Sequence, residues 1–390
     1  LIASLFGSVS VTAQSLPRVF ALDPARLAQT KARINDKAFA AALSRLRRDA
    51  DKAMSEGPFT VTAKQRVPPS GDKHDYLTLA PYWWPDSSKP DGLPYIRRDG
   101  EMNPESKRDT DNPRLTAMAS AVETLAQAYY FTNEEQYAAR AALLLRVWFT
   151  DKATRMNPNY IYAQAVMGRN AGRGAGLIDA RRFIQVVDAV GLLRDSRTWT
   201  KQDQQGLQDW FHAFVHWMQT SANGKEEASA RNNHGTWFAA DLAAFALFLG
   251  NDALARQTIE AVKLRIAWQI EPDGRQPLEL ERTRAISYSL FNLSALCTVA
   301  AIGEKAGVDL WNYETNDGRG LSAALAYLAP FALGEKQWPH KQLIKWSPED
   351  YFDLLRQATG RIQHNKFRVL LTKVPAAHSA ERMVLLTGKR

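Results

Sequence analysis

The chain has 390 residues, 45% of them hydrophobic, and 50 Lys+Arg against 41 Asp+Glu give a net charge of +9. That excess favours polyanionic partners, yet no Lys/Arg run, zinc-finger pattern or RNP-like aromatic strand points to nucleic acid. A single cysteine, Cys297, rules out an intrachain disulfide, and without an HExxH, CxxC or clustered His/Asp pattern neither a metal nor a cofactor is expected.

Residues 1–15 read as the tail of a signal-peptide apolar region, ending in the small-x-small pattern of Val11, Thr12 and Ala13. The stretch is too short to span a bilayer, so the expectation is export to the periplasm or the medium, with no membrane partner. Residues 20–390 are expected to form a single domain. Asp23 and Pro24 read as an N-cap and a first helical residue, opening a helix toward Ile34. A second amphipathic stretch covers 39–54. From Pro58 to Asn112 no helical period persists, although Trp and Tyr recur, and so long a structureless stretch in a folded domain is usually functional or disordered.

Helices resume at Asn112 and Pro113. The spacing predicts a pair over 115–131 and 134–149, split by Thr132 and Asn133 with Asn133 as N-cap. Further helices are predicted over 177–193, 201–220 (capped by Thr200), 237–249, 252–270, 283–305 and 321–333, and from Ser347 and Pro348 to Thr359. Ser221–Ala230 reads as a polar loop, and the segment after Phe367 has no assignable pattern. Helical hairpins joined by short turns must bury their apolar stripes against neighbours. With no fixed repeat to favour a solenoid, the fold class expected is all-α: an α/α toroid, an incomplete barrel of antiparallel helical hairpins, with a long aromatic lid loop.

Three segments carry chemistry. In the long loop, Tyr82, Trp83 and Trp84 stand before Pro85, as a platform for sugar rings or as hydrophobic anchors of the loop. Residues 231–237 hold Asn232, Asn233 and His234 near a helix N-terminus, where free N–H groups favour an anion; helix capping by the asparagines is the plainer reading. A charged helix start then carries Arg282 and Arg284 ahead of Tyr288, with Arg284 and Tyr288 one turn apart. Together these fit β-elimination of a 4-linked uronate. The C5 proton is removed beside a carboxylate, so the site must neutralise that carboxylate, as an oxyanion hole does. Asn233, His234 and Arg282 have the chemistry for this, and Tyr288, lowered from its usual pKa of about 10 by nearby cations, takes the proton and returns it to O4.

These segments resemble the alginate lyase superfamily of α/α-toroid polysaccharide lyases. The resemblance rests on Asn232-Asn233-His234, on Tyr288 after an arginine-rich helix start, on Tyr82 to Pro85 with 92–100, and on Gly172 to Asp179. It implies a polysaccharide lyase with a lid over its cleft, cleaving a polyuronate, mannuronate-rich alginate first, by metal-independent β-elimination that leaves 4,5-unsaturated ends. It implies Asn233 and Arg282 (or Arg284) at the carboxylate, Tyr288 as acid and base, and His234 as neutraliser or as base on the opposite face. Gln164 resembles a substrate-contacting position. Ser289 stands where many alginate-specific members have His, which keeps a glucuronan (β-1,4-glucuronate) lyase open. Two rivals remain: a glycoside hydrolase using two of Glu271, Asp273, Glu279 and Glu281, and a non-catalytic scaffold that binds a polyanion.

Overall fold

Capping residues set the helix starts. In the computed structural model, which describes residues 16–363, 370, 372–373 and 381–388, Asp23 accepts from the N–H groups of Ala25 and Arg26 and opens α1 (Pro24–Ala32). The expected export segment lies outside the described residues. Next come α2 (Ala40–Met54), α3 (Asp111–Thr132) and α4 (Glu135–Leu145). Asn133 is not the N-cap of α4. It takes φ 57 and closes α3 from the left-handed region, which asparagine tolerates better than most residues.

The stretch expected as one helix over 177–193 is a 3-10 segment, Gly174–Arg181, running into α5 (Arg182–Leu192). A Thr200–Asp203 capping box opens α6 (Lys201–Thr220). Ser221 then caps α7 (Ala222–Ser229), where a polar loop was expected. Asn232 caps α8 (Asn233–Phe248), which starts before Trp237 and so holds Asn233 and His234 in its first turn. The remaining described helices are α9 (Asp252–Gln269), α10 (Pro277–Leu280), α11 (Ala285–Ala306), α12 (Leu321–Ala332), α13 (Pro348–Ala358) and α14 (Arg382–Thr387).

Sequential helices pack as hairpins, α3 on α4 and α8 on α9, while α3 also meets α2 and α5, and α8 meets α5 and α11. This is the all-α toroid architecture. Every residue of α8 except His234 is buried, and its composition, apolar on all sides, fits a helix packed all round. Among the described helices α11 is long and apolar enough to cross a membrane, but most of it is buried inside the protein. Much of the aromatic content goes into one cluster, Phe149, Phe183, Trp210, Phe211, Phe214 and Phe245, with ring centroids 4.8–6.5 Å apart. Each such pair adds roughly 0.5–1.5 kcal/mol beyond the area it buries.

The long segment before α3 is structured. Its strand β1 (Leu77–Leu79) pairs in parallel with β4 (Tyr162–Ala165), and β2 (Trp83–Trp84) pairs antiparallel with β3 (Ile96–Arg97) as a hairpin. Its base is pinned by Lys64, whose fully buried ammonium donates to the carbonyls of Val61, Lys73 and Asp75 and pairs with Asp111 at 2.9 Å. Asp111 also accepts the N–H of Leu77, tying β1 to the first turn of α3.

Candidate active site

A cavity of about 1010 Å³ opens between the β2–β3 hairpin and the starts of α8 and α11. Tyr82, Trp83, Gln164, Asn232, Asn233, His234, Arg282, Arg284 and Tyr288 all line it. Trp84 does not. Successive strand residues face opposite sides, so Trp83 turns to the cleft while Trp84 donates its indole N–H to the Glu101 carbonyl at 2.9 Å and lies under Arg98. Trp84 thus anchors the loop, the second of its two sequence readings. Arg169 and Arg173 lie over the Trp83 ring, at 5.1 and 6.0 Å from its centroid.

The two helix starts are locked together by a buried amide network. Gln269 of α9 donates to the carbonyls of Arg231 and Asn232 and accepts from Thr236 and Asn292. Asn292 of α11 also donates to Gln276, which donates to the Ser289 carbonyl. Such a network holds one geometry because each lost bond strands a buried polar group. Gly235 allows close approach here: a Cβ would meet the Ala230 carbonyl oxygen at 2.1 Å. The α7–α8 corner is thus tight, and it brings Glu227 to His234.

His234 Nδ1 lies 2.6 Å from Glu227 Oε1. Glu227 is buried, and a carboxylate on one ring nitrogen fixes the tautomer and presents the other nitrogen, Nε2, to a ligand. Glu227 escaped the sequence reading because α7 is too polar to show a helical period. Asn233 donates its backbone N–H and its Nδ2–H to the two oxygens of Glu279, both at 2.8 Å, while its Oδ1 is buried without a partner. Burial raises the Glu279 carboxyl above its ordinary value, against the opposing pull of Asn233, Arg282 and His234.

Tyr288 donates its O–H to the Tyr82 hydroxyl at 2.8 Å, and the Arg282 guanidinium stacks on its ring, 3.7 Å from the centroid. The expected lowering of the phenol does not occur. Burial raises it well above the ordinary tyrosine value, the neighbouring Tyr82 adds to this, and Arg282 offsets it only in part. The cation is itself largely neutralised, because Asp99 of the lid accepts from Arg282 Nε and Nη2 and from Thr283, the shortest contact being 2.7 Å. Burial alone would raise Asp99, but these bonds override it and hold the carboxyl below the usual range. The neighbouring Gly100 has φ 78, and a Cβ there would meet Thr283 Oγ1 at 2.2 Å, so this corner of the lid needs glycine. Arg284 has no carboxylate partner among the described residues; it lies 5.8 Å from the Tyr82 ring centroid, with Nε buried and unpaired.

Gln164 sits at φ 49, a strained conformation for a non-glycine residue. Its N–H donates to Thr78 Oγ1 and its Oε1 accepts from Arg173 at 2.7 Å, which leaves its amide N–H2 for the cleft. The carboxylates of the hydrolase alternative are elsewhere: Glu271 and Asp273 pair with Arg275, Glu279 is buried on Asn233, and Glu281 does not line the cleft. No group of three or more His, Cys, Asp or Glu suited to a metal occurs among the described residues. Cys297 is buried in α11, and burial pushes its thiol up to about 12.

The model of the family described as alginate lyase matches residues 60–338. A crystal structure of an alginate lyase from Bacteroides ovatus is 40% identical, covers 95% of this chain and 99% of that one, and superposes with a TM-score of 0.92. Alginate lyase A1-III from Sphingomonas species A1 is 16% identical over 97% of this chain and 98% of its own, with a TM-score of 0.62, a likeness of fold. A histidine-to-alanine variant of A1-III complexed with tetrasaccharide matches equally, at 16% identity and TM-score 0.62, covering 97% and 98% of the two chains. No curated protein matches the chain.

Proposed function

The chain belongs to the alginate lyase family and is a polysaccharide lyase, and from that premise we propose that it cleaves mannuronate-rich alginate by metal-independent β-elimination in the cleft beneath the β2–β3 hairpin. The observation that carries the reading is the convergence of Tyr288, His234, Asn233 and Arg284 on one cavity. Elimination breaks the C5–H and C4–O4 bonds and forms a C4=C5 double bond. The substrate carboxylate must be relieved of charge while the proton leaves. Arg284 is the better cation for this, since Asp99 already occupies Arg282.

The raised Tyr288 phenol is neutral at rest, so it enters as the acid that protonates O4. On a mannuronate whose C5 proton and O4 share a face, it serves as base as well by giving its own proton to O4 while taking the C5 proton, so the phenol ends the step neutral and no second acceptor is needed. Where the proton is on the opposite face, His234 backed by Glu227 is the base. The A1-III protein was captured with tetrasaccharide after its histidine was changed to alanine, in keeping with an oligosaccharide ligand for this cleft. Ser289 is buried, with its carbonyl bonded to Gln276, so this departure from alginate-specific members lies outside the cleft and does not by itself argue for glucuronan.

The test is a panel of polymannuronate, polyguluronate and polyglucuronate, each with and without a chelator, followed by ultraviolet absorbance of the unsaturated product. The reading expects fastest absorbance growth on polymannuronate, unchanged by chelation. Fastest growth on polyglucuronate would assign the glucuronan alternative, and loss with chelator would overturn metal independence. Export to the periplasm or the medium is proposed on the apolar run of residues 1–15 and its small-x-small end at Val11, Thr12 and Ala13.

A further inference from the structure

Glu279 is 1% exposed, and among the described residues no cation hydrogen-bonds its carboxyl. The side chains outside Asn233 that favour its ionised form are Arg282, ahead of α11, and His234, on α8. Arg282 is committed to Asp99 and His234 to Glu227, and neither bonds the Glu279 side chain. A carboxylate buried without an ion pair ordinarily takes up a proton. A neutral Glu279 would then need an acceptor for its O–H.

One stands beside it. Asn233 Oδ1 is buried and unpaired, on the amide whose other end already touches Glu279 Oε2 at 2.8 Å. The two ends of an asparagine amide have nearly the same size and are told apart only by their hydrogen bonds. We propose that Glu279 is a positioning residue working in its neutral form: its O–H donates to Asn233 Oδ1, the amide turns end for end, and Asn233 Nδ2–H is presented toward the uronate carboxylate. Glu279 Oε1 keeps the backbone N–H of Asn233 throughout. One exchange pairs the stranded acceptor, removes a negative charge beside an anionic substrate, and supplies a donor. The inference rests on the lyase reading for its consequence, but not for the protonation.

Glu279→Gln separates the two states. A glutamine reproduces neutral glutamic acid, with Oε1 accepting the backbone N–H and Nε2 donating to Asn233 Oδ1, whereas it cannot accept both donors as a carboxylate does. The expected result is that E279A loses about 100-fold in kcat, the cost of a misplaced oxyanion donor, with KM changed less. E279Q recovers most of that loss and lacks the alkaline decline in kcat that wild type shows as Glu279 ionises. E279Q turning over as slowly as E279A, or declining at the same pH as wild type, overturns the proposal.

Thermal unfolding gives a readout independent of turnover. Burial raises the Glu279 carboxyl in the fold. Its stabilising share is therefore complete below the unfolded value of about 4.3 and is lost as pH rises through the folded value. The Tm of E279Q relative to wild type should climb as pH rises above that unfolded value. A gap that stays flat refutes the neutral carboxyl even if no polymer is cleaved, whereas a climbing gap without unsaturated product would count against the lyase reading instead.

Discussion

Replacing Tyr288 by Phe isolates one proton. The ring stays beneath the Arg282 guanidinium, 3.7 Å from the centroid, so the cation–π contact survives. The hydroxyl makes one hydrogen bond, to Tyr82, whose loss should lower stability by about 1 kcal/mol. The fold and the amide network behind it remain. Catalysis loses its acid at O4, and a positioned proton donor contributes roughly 10²–10⁴-fold, or about 2.7–5.4 kcal/mol of barrier. Initial rates of ultraviolet absorbance growth at saturating polymer, alongside thermal unfolding, measure both quantities. Tyr82→Phe is the companion, since it removes the partner and leaves the Tyr288 phenol, so it should slow turnover far less. A Y288F protein with wild-type kcat would refute the assigned role, and Y82F as slow as Y288F would move the acid to Tyr82.

Glu227→Ala frees His234 Nδ1 from its carboxylate and should lower kcat by about 10–100-fold, as loss of an orienting partner does at comparable sites; an unchanged kcat would show that the pair is only structural. Raising salt should increase KM for polymer, since the attraction of a +9 chain for a polyanion is screened over about 10 Å at 0.1 M, and a salt-independent KM would contradict steering by charge. Arg146→Met tests the Arg146–Asp203 pair, two contacts of 2.7 Å at the start of α6. Burial would raise Asp203, but Arg146 and Thr200 pull it down to about 2. Its stabilisation is therefore present above the unfolded value of about 3.9 and lost as pH falls through about 2. With Arg146 partly exposed the pair contributes about 1 kcal/mol, and the Tm gap between R146M and wild type should close in acid.

The toroid was legible because caps and apolar periods are local. Asp23, Thr200, Asn251 and Ser347 all cap helices near their expected starts. The site was partly legible. Asn233, His234 and Tyr288 announced themselves as polar groups at helix starts, but the carboxylates behind them did not. Glu227 lies on a helix too polar to show a period, and Glu279 entered only as one of the carboxylates of the hydrolase alternative until burial and Asn233 gave it a place. The pairing of Arg282 with Asp99 joins residues far apart in the chain, which no spacing rule reaches. The sign of the Tyr288 shift was missed for a related reason, because the sequence shows the nearby cation while the depth of burial and the neutralising lid carboxylate appear only once the chain is folded.

The most direct measurement is the mass of the oligosaccharides released from polymannuronate. Elimination yields fragments whose new non-reducing ends carry a C=C bond and lack the elements of water that hydrolysis adds, so every internal cut should produce one absorbing, dehydrated end. Fragments with fully hydrated ends and no absorbance would contradict a Tyr288-centred elimination and point instead to a pair of carboxylates acting on water.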